Sequence, residues 1–157
     1  GGMWIDSTAL CTDEDFFRYA SKQHLFVFKQ LNLGNQGEAP IIASSWFISS
    51  EIGNPIVVLT RNLLYAYWQD YDYLLNYFAF HLFFTMACRR YENEWESIPA
   101  FNNSSPHMLM FELKRDYSSE RWEQLMKMSG IHKLQRYDDY SDLKKSNYCK
   151  ILDTYLQ

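Results

Sequence analysis

Asp6 is the first residue of this chain placed to do chemistry. It follows Gly1-Gly2-Met3-Trp4-Ile5, where a glycine pair permits a tight backbone and Met3-Trp4-Ile5 reads as a short buried strand. A carboxylate at the carboxyl end of a sheet strand stands where open α/β folds place ligand chemistry. The alternative is a turn cap, with Ser7 and Thr8 satisfying local backbone groups. A second polar set lies further along. Tyr73, Tyr77 and His81 recur at i, i+4 and i+8 on one predicted helix face, and Asp72 and Asn76 form an adjacent polar line. Polar groups on a buried helix need internal partners or a ligand, and both readings stay open here.

The elements that must carry these residues can be read in order. Thr12-Asp13-Glu14-Asp15 resembles a capping box, opening a helix that fades near Gln23. Leu25 to Phe28 reads as a strand, Leu31 to Pro40 as a loop, and Trp46-Phe47-Ile48 as a strand or the end of a loop against the sheet. Asn54 as cap and Pro55 at the first helical position start a helix through Ile56 to Gln69. After a break at Tyr71-Asp72, Tyr73 to Arg90 is apolar almost all round and predicts a buried helix. Asn102 to His107 reads as loop before the apolar segment Met108 to Phe111. Ser118 opens a helix to about Met128 that Ser129-Gly130 stops. Ile131 to Leu134 predicts a strand or extended segment returning to the sheet, and Ser141 to Tyr155 a closing amphipathic helix.

Composition narrows the function classes. The net charge of −4 lacks the basic surface that phosphate-backbone binding requires, so a nucleic-acid partner is not expected. The 18% aromatic content suits a core and also aromatic-lined clefts. Cys11, Cys88 and Cys149 are odd in number and widely spaced, which argues against a disulfide framework or structural zinc and for a reducing compartment. Tyr73 to Cys88 is uncharged, but it is shorter than the ~20 residues needed to cross a bilayer. No opposed carboxylate pair marks a glycoside hydrolase.

Five segments, taken in order, resemble the capsular polysaccharide synthesis glycosyltransferases, relatives of glycosyltransferase family 32. They are Gly1-Gly2-Met3-Trp4-Ile5-Asp6-Ser7-Thr8, Ser45-Trp46-Phe47-Ile48 with Gly53-Asn54-Pro55, Tyr77-Phe78-Ala79-Phe80-His81, Pro106-His107-Met108-Leu109 and Ile131-His132-Lys133-Leu134. The resemblance implies an α/β fold, the C-terminal portion of a GT-A (Rossmann-like nucleotide-diphospho-sugar transferase) domain, helix-rich with a small mixed sheet. It implies that residues 1–157 are a partial domain lacking its nucleotide-binding half, and so inactive as an isolated piece.

The implied activity is hexosyltransferase-like: transfer of a sugar from a nucleotide-diphosphate donor to a growing surface glycan. The implied cofactor is a divalent cation, Mn²⁺ or Mg²⁺. By position, Asp6 meets the metal, and Thr8 stands where many members carry a second aspartate. A hydroxyl is the weaker ligand for a hard cation, which puts metal dependence in question. His132 would join Asp6 on the metal, and Lys133 would neutralise a diphosphate oxygen. Trp46 would stack on sugar or acceptor, its alternative being a core residue, while Asn76 and His81 would reach the acceptor side. The expected location is the cytoplasm, with peripheral association at the inner face of the membrane. The competing expectation is a non-catalytic carbohydrate-binding or interaction domain derived from the same fold.

Overall fold

The computed structural model describes residues 1–30, 41–135, 139–140 and 143–155, the side chain of Gln30 excepted. The loop expected from Leu31 to Pro40 lies outside the described residues. The chain divides into two compact units, Gly1–Ile5 with Arg18–Asn103 and Asp6–Phe17 with Ser104–Gln157. Helix α1 (Glu14–Ser21) runs from the second into the first. Its cap is Asp13, whose Oδ1 accepts from the Asp15 amide at 2.9 Å. The expected cap, Thr12, has a hydroxyl with no hydrogen-bond partner among the described residues.

The first unit is built on a mixed sheet of β1 (Gly2–Ile5), β3 (Leu25–Gln30), β4 (Phe47–Ser50) and β5 (Phe101–Asn102), in the order β1-β4-β3-β5. Strands β1 and β3 pair antiparallel with β4, and β5 pairs parallel with β3. Strand β1 is an edge strand with Trp4 62% exposed, so the buried strand expected there is corrected. Three apolar residues in a row gave the sequence reading no means of separating an edge from a centre. Alternation along β3 sends Leu25 and Val27 into a core with Ile56, Phe84, Ala87, Cys88 and Ile98. Phe26 and Phe28 join an aromatic cluster with Phe47, where the Phe28 ring also stacks on Trp46 at 4.8 Å.

Helix α2 (Pro55–Asp70) begins as expected, with Asn54 Oδ1 accepting from the amides of Ile56 and Val57 at 3.2 and 3.3 Å. Asn54 is buried and its Nδ2 also donates to Glu94 Oε1 at 3.2 Å. Gly53 before it has φ +81°, a conformation that favours glycine. An Asn54→Ala substitution is expected to cost about 1 kcal/mol or more, read as a lower urea midpoint at unchanged slope.

The long buried helix expected from Tyr73 to Arg90 is shortened. Helix α3 starts only at Ala79 and ends at Arg90, and the segment before it is exposed, Tyr77 at 85%. Local hydrogen bonds outcompete the helix there. The Tyr67 hydroxyl donates to the Tyr73 carbonyl at 2.6 Å and accepts from the Leu75 amide at 3.0 Å. Asn76 Oδ1 accepts from the Phe78 amide at 2.7 Å. Helix α4 (Glu92–Ser97) follows α3.

The second unit pairs β2 (Ala9–Cys11), absent from the sequence reading, antiparallel with β6 (Ile131–Lys133). Strand β6 thus joins a separate two-stranded sheet, not the larger one. Around it lie α5 (Ser104–Glu112), α6 (Ser119–Met128) and α7 (Asn147–Tyr155), with Leu109, Leu113, Trp122, Leu125 and Ile151 as the core. The loop expected around Pro106 is helical. Pro106 falls in the first turn of α5, where its missing N–H has no partner to lose. Helix α7 begins later than expected because Ser146 Oγ accepts from the Cys149 amide at 3.3 Å. Residues 141–142, where that helix was expected to begin, lie outside the described residues.

Candidate functional site

The second unit brings Asp6, Thr8 and Lys133 together from opposite ends of the sequence. Just past Ile5, Asp6 accepts from the Ala9 amide through its carbonyl at 3.0 Å, forming a turn that leads into β2. The Leu134 amide donates to the Thr8 carbonyl at 2.8 Å, extending the β2–β6 pairing up to the turn. Register Ala9↔Lys133 then directs the Lys133 side chain towards it. The Asp6 carboxylate is gripped through one oxygen. Oδ1 accepts from the Thr8 amide at 2.8 Å and the Thr8 hydroxyl at 2.7 Å, and Lys133 Nζ stands 3.4 Å away. Lys133 Nζ also donates to Thr8 Oγ1. Burial pushes the Asp6 carboxyl up, but the two Thr8 donors and the Lys133 charge outweigh it and hold the group below the usual aspartate value. Asp6 is therefore an anion at neutral pH, suited to orienting a cation and not to general-base work.

His132 does not join this cluster. Adjacent residues of a strand face opposite sides, so with Lys133 turned to Asp6, His132 points the other way. It is fully buried, and neither ring nitrogen has a hydrogen-bond partner among the described residues. Burial pulls its pKa down from 6.5 to about 4, and the nearby Ser129 backbone offsets this only in part without reaching hydrogen-bond geometry. The expected Asp6–His132 metal pair is thus not assembled.

That imidazole has a pH consequence. The unfolded chain takes up its proton near pH 6.5, the folded chain only near 4. Stability from the neutral ring is complete above about 6.5 and is lost as pH falls towards 4, by roughly 3 kcal/mol across the window. Urea unfolding near pH 7 and near pH 5 should show this slope, and His132→Leu should reduce it. An unchanged slope would remove His132 as its source.

The chemistry of the donors also bears on a cation. Asp6 is one carboxylate and Thr8 a neutral hydroxyl, and among the described residues no three His, Cys, Asp or Glu side chains are grouped to hold a metal. An ammonium already stands against the carboxylate. A dication ~5 Å from it would be repelled by several kcal/mol at an effective dielectric near ~20, less where water screens it. The residues present do not fit a resident divalent cation.

A cavity of about 870 Å³ opens beside Thr8, lined among others by Leu10, Leu134, Tyr140, Tyr148 and Ile151. Tyr140 and Tyr148 stack at 4.3 Å. Its size falls in the range of small-ligand sites, and no motif in the sequence marks it. The sequence signal that bears on it is the apolar face of the closing amphipathic helix.

The remaining expected residues belong to the first unit. Trp46 is only 7% exposed with its ring stacked on Phe28, so it is a core residue and not a sugar platform. Asn76 is exposed, its side chain occupied in the turn before α3. His81 is half-buried on α3; burial lowers its pKa, with the Ala43 backbone opposing.

The fold and site define an α/β protein, helix-rich with a small mixed sheet, carrying a carboxylate–hydroxyl–ammonium cluster beside a cavity. The family described as "Capsular polysaccharide synthesis protein" matches residues 1–152, and the chain belongs to it. No curated protein and no solved structure matches the chain significantly. Among the described residues no helix is long and apolar enough to cross a membrane.

Proposed function

We propose that this chain contributes the diphosphate-binding part of a glycosyltransferase of capsular polysaccharide synthesis, which moves a sugar from a nucleotide-diphosphate donor to a growing glycan. The observation that carries this reading is the convergence of Asp6 and Lys133 on Thr8, which itself lines a ligand-sized cavity. Membership of the family supports the biosynthetic role. In the reaction, an acceptor hydroxyl of the glycan bonds to the anomeric carbon and gives up its proton to solvent, the bond from that carbon to the diphosphate oxygen breaks, and negative charge builds on the departing diphosphate. A fixed ammonium at that oxygen stabilises the charge as it forms, and more strongly than it stabilises the bound donor. Asp6 holds the lysine in position, and the apolar walls of the cavity take the body of a bound ligand.

The test is release of nucleoside diphosphate from a panel of nucleotide-sugars by the full-length protein with capsular glycan present. Release from at least one donor, coupled to glycan extension, is expected. Glycan binding with no donor breakdown across the panel would instead favour a carbohydrate-binding module. That second reading draws on the exposed aromatic side chains of α2 and the segment after it, Tyr65, Trp68, Tyr71, Tyr73 and Tyr77, which suit stacking on sugars.

A further inference from the structure

We propose that the site binds its nucleoside diphosphate through the Lys133 ammonium, oriented by Asp6 and Thr8, and without a divalent cation. This rests on the donor-site reading above and deepens it. Asp6 Oδ1 and Thr8 Oγ1 both face the Lys133 ammonium, and that positive charge opposes a dication at the same oxygens. An ammonium has three N–H donors. One is directed to Asp6 and one to Thr8, and no further partner of Nζ is found among the described residues. The third is left for an incoming oxygen.

The Asp6 carboxylate cannot drift away from this arrangement. Its Oδ1 is pinned by both the amide and the hydroxyl of Thr8, so the turn fixes the carboxylate and the carboxylate fixes the lysine. The backbone that carries the lysine is itself fixed, since β6 is paired with β2 along its whole length. The neutral hydroxyl of Thr8 suits this role. A second carboxylate would favour a dication, whereas a hydroxyl accepts from the ammonium while adding no charge to repel phosphate. Asp6 is then a positioning residue and Lys133 the group that touches the ligand. Because the pair is neutral overall, affinity comes from a directed charge-assisted hydrogen bond at short range and not from a broad positive field.

The experiment is calorimetric titration of the full-length protein with UDP and with GDP, in EDTA and in Mn²⁺, for the natural protein, Lys133→Ala and Lys133→Arg. The expected result is binding that changes less than about twofold between EDTA and Mn²⁺, and that Lys133→Ala weakens at least about tenfold. Lys133→Arg should restore most of it, which a merely structural lysine would not predict. Binding that appears only with Mn²⁺ would overturn the proposal while leaving the donor-site reading standing. Chelator-indifferent binding untouched by Lys133→Ala would overturn the part given to lysine. Absence of nucleotide binding in every condition would overturn the donor-site reading itself, and this proposal with it.

Discussion

Replacing Asp6 with alanine is expected to lower donor turnover by about 10²–10³-fold while leaving the fold intact. The fold should survive because the side chain is partly exposed and serves no core, whereas the backbone carbonyl that forms the turn with Ala9 remains. Activity should fall because one carboxylate oxygen organises both Thr8 and Lys133. Without it the ammonium is free to sample many rotamers, and a displacement of about 1 Å at a reacting group can cost 10²-fold. Asp6→Asn keeps an acceptor for the Thr8 amide and should lose less. Steady-state rates and a circular dichroism spectrum on the same sample check both halves. Full turnover in Asp6→Ala would remove Asp6 from the machinery, and a collapsed spectrum would show that it serves the fold instead.

The largest effect on stability is expected from Phe26→Ala, at about 3–5 kcal/mol. Phe26 is fully buried in β3, and its ring lies 5.6 Å from Phe28, 5.7 Å from Phe47 and 5.1 Å from Phe101. Truncation removes the transfer energy of the ring and leaves a cavity that neighbours paired on adjacent strands cannot move to fill. Aromatic pairing adds to the loss beyond buried area. Against a typical total of 5–15 kcal/mol, this is enough to leave part of the population unfolded at room temperature. Urea titration of the variant measures it directly. A loss below about 1 kcal/mol would mean that the aromatic cluster is not a tightly packed core.

Elements whose local chemistry was strong were legible in the sequence. Asn54-Pro55 fixed the start of α2, Ser118 and Ser129-Gly130 bracketed α6, and apolar β-prone runs marked β3 and β4. The error at Tyr73–Phe78 came from reading hydropathy as burial. Tyr73, Leu74, Leu75 and Tyr77 are exposed, and the hydrogen bonds that hold the segment there come from Tyr67 and Asn76, which no helical pattern registers. Strand β2 was invisible because three residues carry almost no periodic signal.

The candidate site was half legible. Asp6, Thr8 and Lys133 were named, and they meet. His132 was assigned to the same ligand, although a strand's period of two places neighbours on opposite faces. Once Ile131–Leu134 was read as extended, only one of His132 and Lys133 could have faced Asp6. The cavity beside Thr8 was not legible at all, since its walls are brought together from β2, the residues that follow β6, and α7 by the fold of the second unit.

The central claim is that Lys133, oriented by Asp6, marks where the donor diphosphate sits. A crystal structure of the full-length protein with a bound nucleoside diphosphate tests it most directly. A phosphate oxygen within about 3 Å of Lys133 Nζ, with Asp6 still turned to the lysine, is the predicted result. A diphosphate held elsewhere, with the Asp6–Thr8–Lys133 cluster unchanged and empty, would contradict the account.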